Sequence, residues 1–182
     1  MSWLGRIGVV WGLLGVCGFL VEAVYRLAVH AVESLHFSLS LGQWTFAIGW
    51  TALLLYFEGY RGFQQRFSPR VVARAWHLGH HPRWLHVVLA PAFCIGLFHA
   101  SPRRVRSEWT LVVMVVALVV LVRRLEPLLR GLFDLGVVVA LSWGLGALVV
   151  FAARGLTGRV PAVPLDLPGP ATSAATPVLA RD

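Results

Sequence analysis

Histidine side chains are the groups best suited to chemistry in this chain, and most of them lie between residues 77 and 99. His77 and His81 are one helical turn apart, so both can bind the same metal ion. On one continuous helix His86 and His99 are about 20 Å apart and cannot share an ion. Either one can still be an axial haem ligand with a partner on another helix. The sequence leaves metal or haem binding through these four histidines open, beside a purely structural role.

The motifs of common enzyme classes are absent from the sequence. It contains no HExxH, no CxxC, no P-loop and no GxSxG pattern, so the usual residue sets for metal-assisted hydrolysis, redox, phosphoryl transfer and acyl transfer are missing. The two cysteines, Cys17 and Cys94, each lie in an apolar stretch and predict no disulfide framework. We therefore assign no catalytic residue and expect a protein that is not an enzyme.

Glu22 and Arg26 form a second candidate site. They are one helical turn apart in a mostly apolar stretch, where a carboxylate is costly unless it is paired. A local ion pair between them is one interpretation. A proton or cation site, with His30 and His36 nearby, is the other.

The stretch from Phe57 to Trp84 is the longest polar run in the chain, with five arginines, one acid and several aromatic rings. Ser68 and Pro69 predict a helix start. Arginines and histidines then fall on one side of that helix and apolar residues on the other, which predicts an amphipathic basic helix lying at the membrane interface. We expect anionic headgroups or a protein partner to bind Arg61, Arg66, Arg70, Arg74 and Trp76. Within the same stretch, Glu58-Gly59-Tyr60-Arg61-Gly62 predicts either a helix end or a hinge.

Composition predicts a helical membrane protein. The chain is 58% hydrophobic and 13% charged, and a soluble domain carries roughly twice that charged fraction. The apolar residues come in blocks close to bilayer length. We predict an all-α, polytopic integral membrane domain over residues 1–156, with about five spans at 3–27, 41–57, 84–100, 109–122 and 135–153. The Pro- and Ala-rich tail, 157–182, is predicted to be disordered.

The net charge of +8 comes from arginine alone. Because the arginines cluster at the ends of apolar blocks, they fit the positive-inside rule better than nucleic-acid binding. With the N-terminus in the cytoplasm, five spans place nine arginines inside and seven outside, whereas four spans place twelve inside and four outside. Charge therefore favours four spans and hydropathy favours five. We predict five, in a bacterial inner membrane, with four as the alternative.

Small residues at helical spacing predict close helix contacts. Gly8 and Gly12 form one pair, and Ser142 and Gly146 form another. Together these patterns predict a subunit or scaffold of a membrane assembly, with a basic cytoplasmic loop that binds lipid headgroups or a cytoplasmic partner. Other membrane proteins are the further partners that we expect. The alternatives are a histidine-ligated metal or haem protein and a small transporter that uses Glu22.

Overall fold

The computed structural model describes residues 1–165, apart from the side chains of residues 103 and 104. The chain forms seven α-helices and one π-helix, and no strand occurs in the described residues, which confirms the all-helical prediction. In chain order the helices are α1 (Trp3–Leu35), α2 (Leu41–Leu54), the π-helix (Leu55–Phe67), α3 (Ser68–His80), α4 (Trp84–Val88), α5 (Ala90–Ile95), α6 (Pro102–Val122) and α7 (Pro127–Leu156).

Three stretches are long and apolar enough to cross a membrane: α1, α7 and residues Val105–Val122 of α6. These candidate spans point to a membrane location. The predicted count of five spans is not confirmed. Residues 84–100 form two helices of five and six residues rather than one long helix. Pro91 lies at the start of α5, and Gly96 ends it in the left-handed conformation at φ 95, so backbone chemistry explains the break.

The predicted second span, 41–57, is the first part of a much longer helical segment. Leu55 and Ser68, at the two junctions of the π-helix, both have right-handed helical backbone angles. Helical structure is therefore continuous from α2 through the π-helix into α3, over residues 41–80. Ser40 caps its start through a reciprocal pair of hydrogen bonds with Gln43.

The other predicted spans are also longer in the structure. The helix predicted over 3–27 continues to Leu35. The arginine-rich connections expected before 109 and before 135 are instead the first turns of α6 and α7. Each of these helices begins with proline, Pro102 and Pro127, a residue suited to the first helical position because its missing N–H has no partner there anyway.

Helix α7 is the centre of the bundle. Its start contacts the end of α1, because Gly131 lies against Ser34, so α1 and α7 run antiparallel. The segment from α2 to α3 runs parallel to α7 on another side. Aromatic side chains of that segment lie on successive α7 glycines, in the pairs Trp50 with Gly136, Phe63 with Gly144 and Trp76 with Gly155.

Helix α3 packs in the interior rather than lying flat at a surface. Nine of its thirteen residues are buried, and Val72, Ala75 and Leu78 contribute to the main apolar cluster together with α5 and α7 residues. The predicted interfacial position is therefore corrected. The apolar face that we assigned to lipid is covered by α1, α5 and α7, and Arg74 on the basic face is buried as well.

Helix α6 has almost no contact with the rest of the described chain. Only 6% of its apolar window is buried, and its Leu, Val and Met side chains are largely exposed. Glu108, near its start, is the buried exception. A helix that is apolar around most of its circumference needs an apolar environment, which lipid supplies.

The two predicted packing pairs behave differently. Gly8 lies against Leu78 and Val87, and Gly12 lies against Cys94, so this pair lets α3, α4 and α5 approach α1 closely. Ser142 and Gly146 face outward, and a side chain added at Gly146 would meet nothing within 4 Å.

The chain after α7 returns to α3. Val160, Pro161, Val163 and Leu165 line a shallow cavity of about 310 Å³ against α3. The first part of the tail predicted to be disordered, residues 160–165, therefore passes beside α3. The rest of the predicted disordered tail, 166–182, lies outside the described residues.

The tight crossing of α1 and α7 predicts opposite effects for two glycine substitutions. In Gly131→Ala the new Cβ would overlap Ser34 and lie 2.5 Å from the His30 carbonyl oxygen, so the variant should lose about 1–3 kcal/mol of stability. Gly146→Ala meets open space and should be neutral or up to about 1 kcal/mol more stable, because alanine favours helix. Unfolding in mild detergent measures both, and equal effects would contradict this packing.

Candidate functional site

Arg74 is the most highly coordinated polar group that the structure describes. Its side chain is buried, with 4% of the residue exposed. Nε donates to the Phe93 carbonyl at 2.7 Å and Nη1 donates to the Leu165 carbonyl at 2.7 Å. Nη2 donates to the carbonyls of Phe98 at 3.3 Å and His99 at 3.2 Å. The guanidinium carbon lies 4.5 Å from the Phe93 ring centre, a cation–π distance.

These contacts give Arg74 a structural role. Carbonyl groups near the end of a helix lack intrahelical partners and carry partial negative charge, so a cation is favourable there. Phe93 belongs to the last turn of α5 and Leu165 to the chain after α7. Arg74 therefore connects α3, α5 and the returning segment, and it is not available to lipid headgroups as we had predicted.

The break between α4 and α5, together with the turn at Gly96 after α5, brings two of the predicted histidines together. The ring centres of His86 and His99 lie 4.4 Å apart, and His86 also stacks on Phe93 at 5.0 Å. His99 has a positive φ of 50, the left-handed conformation that histidine adopts more readily than most residues. The separation of about 20 Å expected along one continuous helix therefore does not hold for this pair, because residues 84–100 do not form one helix.

His77 and His81 are also adjacent, as their spacing predicted, with stacked rings 4.8 Å apart. Within the described residues, no group of three or more His, Cys, Asp or Glu side chains is placed to hold a metal ion. The structure thus offers two histidine pairs rather than a complete ligand set, and metal or haem binding stays a prediction.

The His86 and His99 side chains favour the neutral form. Burial lowers the pKa of His86, and neighbouring positive charge on His99, Arg83 and Arg74 lowers it further. Burial also lowers the pKa of His99, followed by Arg83 and Arg74. Both shifts favour the neutral imidazole, which is the form that binds metals.

The π-helix presents an exposed polar surface. Its wider hydrogen-bonding pattern is visible at its end, where the Ser68 N–H donates to the Phe63 carbonyl five residues back. Glu58 and Arg61 are both exposed, and neither forms an ion pair or hydrogen bond with any described residue. The rings of Tyr56, Phe57 and Tyr60 are exposed beside them. We call these five residues the π-surface.

The contacts of the π-helix with α7 set the depth of the π-surface. A side chain added at Gly59 would meet Trp143 and the Ala140 carbonyl, and Phe63 packs on Gly144. These α7 positions lie in the middle of residues 135–153, which contain no charged residue. Glu58 and Arg61 are therefore level with the most apolar part of α7. The sequence alone placed them at a helix end, because it gave no sign that the helix continues.

The remaining predicted residues have mixed environments. Arg66 is exposed, and its carbonyl accepts a hydrogen bond from Arg70 Nε. Trp76 is half-buried against Gly155. Glu22 and Arg26 form an ion pair at 2.6 Å, with both side chains mostly exposed.

No protein-family model, curated protein or solved structure matches this chain.

Removal of the Arg74 side chain should destabilise the fold. In Arg74→Ala the carbonyls of Phe93 and Leu165 lose their donors in a buried site, and we expect a loss of roughly 3–5 kcal/mol. Arg74→Lys keeps the charge but not the planar set of donors, so it should be intermediate. Arg83→Ala, at an exposed arginine, should change stability by less than about 0.5 kcal/mol. Denaturant unfolding in detergent measures all three, and an Arg74→Ala variant as stable as Arg83→Ala would contradict the assigned role.

Proposed function

We propose that this protein is a non-enzymatic subunit of a membrane assembly and that it crosses the bilayer four times. Helices α1, α6 and α7 supply three crossings. The segment from α2 to α3 supplies the fourth, because it lies along α7 from Gly136 to Gly155. Residues 84–100 remain on the side of the N-terminus, as in the four-span alternative.

Arginine positions support a cytoplasmic N-terminus. The end of α3 contacts both the start of α1 and the end of α7, and Arg74 of α3 donates to the carbonyls of Phe98 and His99 just before α6. The beginning of α6 and the end of α7 therefore lie at the same end of the bundle as the N-terminus. Seven arginines lie at that end: 6, 83, 103, 104, 106, 154 and 159. The opposite end has four arginines, Arg26, Arg123, Arg124 and Arg130. The positive-inside rule then places the N-terminal end in the cytoplasm, where its arginines are available to anionic headgroups.

The observation that carries the proposal is the pair of unpartnered charges on the π-surface. A charged side chain in the centre of a bilayer costs roughly 3 kcal/mol on insertion scales, and such residues face protein or water rather than lipid. Glu58 and Arg61 lie level with the uncharged middle of α7. Within the described chain nothing covers them, so a second protein surface is the environment that fits.

The simplest partner is a second copy of this chain. The π-surface carries one acid and one base three residues apart, so a two-fold axis along the membrane normal lets Glu58 of each copy meet Arg61 of the other. The exposed rings of Tyr56, Phe57 and Tyr60 provide the apolar contact around the charges. This arrangement pairs Glu58 with Arg61 without a third component; Arg66, which is also exposed on the π-helix, lies outside the pairing.

Charge reversal tests this arrangement. Glu58→Arg or Arg61→Glu alone places like charges across the interface, so each should weaken the dimer by about tenfold or more. The double variant restores opposite charges and should dimerise like the unaltered protein. Energy transfer between labelled copies in liposomes measures the dimer fraction.

Glu126→Arg, an exposed change at the other end of the bundle, is the matched control and should leave the dimer intact. An unaltered protein that stays monomeric in liposomes would exclude self-assembly through the π-surface. Single variants that dimerise normally would exclude the Glu58–Arg61 pairing.

A second candidate function is metal binding, which the closeness of His86 and His99 favours. Two neutral imidazoles supply two ligands, and the remaining coordination positions are left to water or to another molecule. If the pair binds zinc, metal analysis of the purified protein should find about one ion per chain, and His86→Gln with His99→Gln should remove it. Metal-free protein after purification without chelator and incubation with zinc would eliminate this candidate.

A further inference from the structure

A basic cavity lies at the opposite end of the bundle from the N-terminus. The end of α1, the residues after α6 and the start of α7 line a half-open cavity of about 570 Å³. Its polar lining includes His30, His36, Arg123 and Arg130, while Phe37 and Leu125 form part of its apolar wall. This volume falls in the range of small-molecule sites.

The charge of the lining favours an anion. Glu33 is the acid that lines the cavity, and its carboxylate lies 3.5 Å from the His30 ring nitrogen. Arg123 and Arg130 have no acid in the lining as a partner. Two arginine side chains that face one cavity suit phosphate, because a guanidinium presents several N–H donors in a fixed plane.

Arg130 lies beside a buried acid, Asp134, one turn later on α7. Its Nε lies 3.7 Å from Asp134 Oδ2, and the Asp134 side chain is only 7% exposed. Oδ2 of Asp134 accepts no hydrogen bond within the described residues, and the 3.7 Å separation is longer than one. Asp134 thus lies beside Nε of Arg130 at ion-pair distance, and the terminal N–H donors of the guanidinium remain for an acceptor in the cavity.

The start of α7 also favours an anion in this cavity. Pro127, in the first turn, lines the cavity, and Glu126 before it makes no side-chain capping hydrogen bond. The first N–H groups of a helix lack intrahelical partners and carry partial positive charge. In a helix of 30 residues this end favours an anion.

We propose that this cavity binds a phosphate monoester, with Arg123 and Arg130 on the phosphate oxygens and Phe37 and Leu125 against the apolar part of the ligand. Such a group is found both in lipid headgroups and in soluble phosphorylated compounds. The cavity lies at the end of the bundle opposite the N-terminus, beside the connection between α6 and α7. Both sources can reach it there. Neither the π-surface nor the histidine pairs belong to it.

The test uses the full chain in phosphatidylcholine nanodiscs with two probes, each a phosphate monoester. Glycerol 3-phosphate is titrated by calorimetry, and retention of added phosphatidic acid is counted by native mass spectrometry. Binding of the first probe identifies a soluble source, and retention of the second alone identifies a lipid. Arg123→Gln should weaken binding at least about tenfold, because a charge-assisted hydrogen bond is lost.

Controls separate binding from folding. Arg123 is exposed, so Arg123→Gln should fold normally. Arg130→Gln combined with Asp134→Asn removes both members of the buried pair and should weaken binding in the same way. Arg83→Gln, at the other end of the bundle, should bind like the unaltered protein. Failure to bind either probe, or equal binding by Arg123→Gln and the unaltered chain, would overturn the proposal whatever the oligomeric state.

Discussion

Close approach of other helices to α7 is the constraint on which the rest of the structure depends. In lipid there is no hydrophobic drive between helices, so association relies on packing and hydrogen bonds, and small residues let large ones come near. Each α7 glycine on the packed face receives a specific partner. These pairs are Gly131 with Ser34, Gly136 with Trp50, Gly144 with Phe63 and Gly155 with Trp76. The hydrogen bond from Trp50 Nε1 to the Phe133 carbonyl, at 3.1 Å, fixes the register of the first ring contact.

This packing explains where the charges lie. The segment of α2, the π-helix and α3 packs along most of α7. The polar residues of that segment therefore lie beside the apolar middle and end of α7. Arg74 is such a charge inside the bundle, and carbonyls of α5 and of the chain after α7 accept hydrogen bonds from it. Glu58 and Arg61 are such charges on the outside of the bundle, and no described residue pairs with them. One packing arrangement thus produces both a satisfied buried charge and an unsatisfied exposed pair.

The sequence predicted what depends on local chemistry and failed where the neighbours decide. Apolar content predicted helices correctly. Ser68 and Pro69, however, mark the change from the π-helix to α3 rather than the predicted helix start, because the backbone is helical on both sides of them and no side-chain cap is present. The two-faced pattern of α3 did not show whether lipid or α1 and α7 covers its apolar side. The spacing of small residues likewise did not show which face of a helix is packed against another helix. Gly8 and Gly12 pack as expected, whereas on α7 the packed position is Gly144 and not its neighbours Ser142 and Gly146. Spacing identifies a possible face, and only the tertiary fold selects one.

Exposure alone does not identify the surface that requires a protein partner. Helix α6 is the most exposed helix relative to its apolar content, yet a surface of Leu and Val is fully compatible with lipid, which offers it the same dispersion contacts as a protein would. The π-surface is smaller but carries opposite charges that lipid cannot satisfy. For a helix in a bilayer, the free energy to be gained from a partner depends on unsatisfied polar groups rather than on apolar area. That ordering is the basis for the proposal that lipid covers α6 and that a protein partner covers the π-surface.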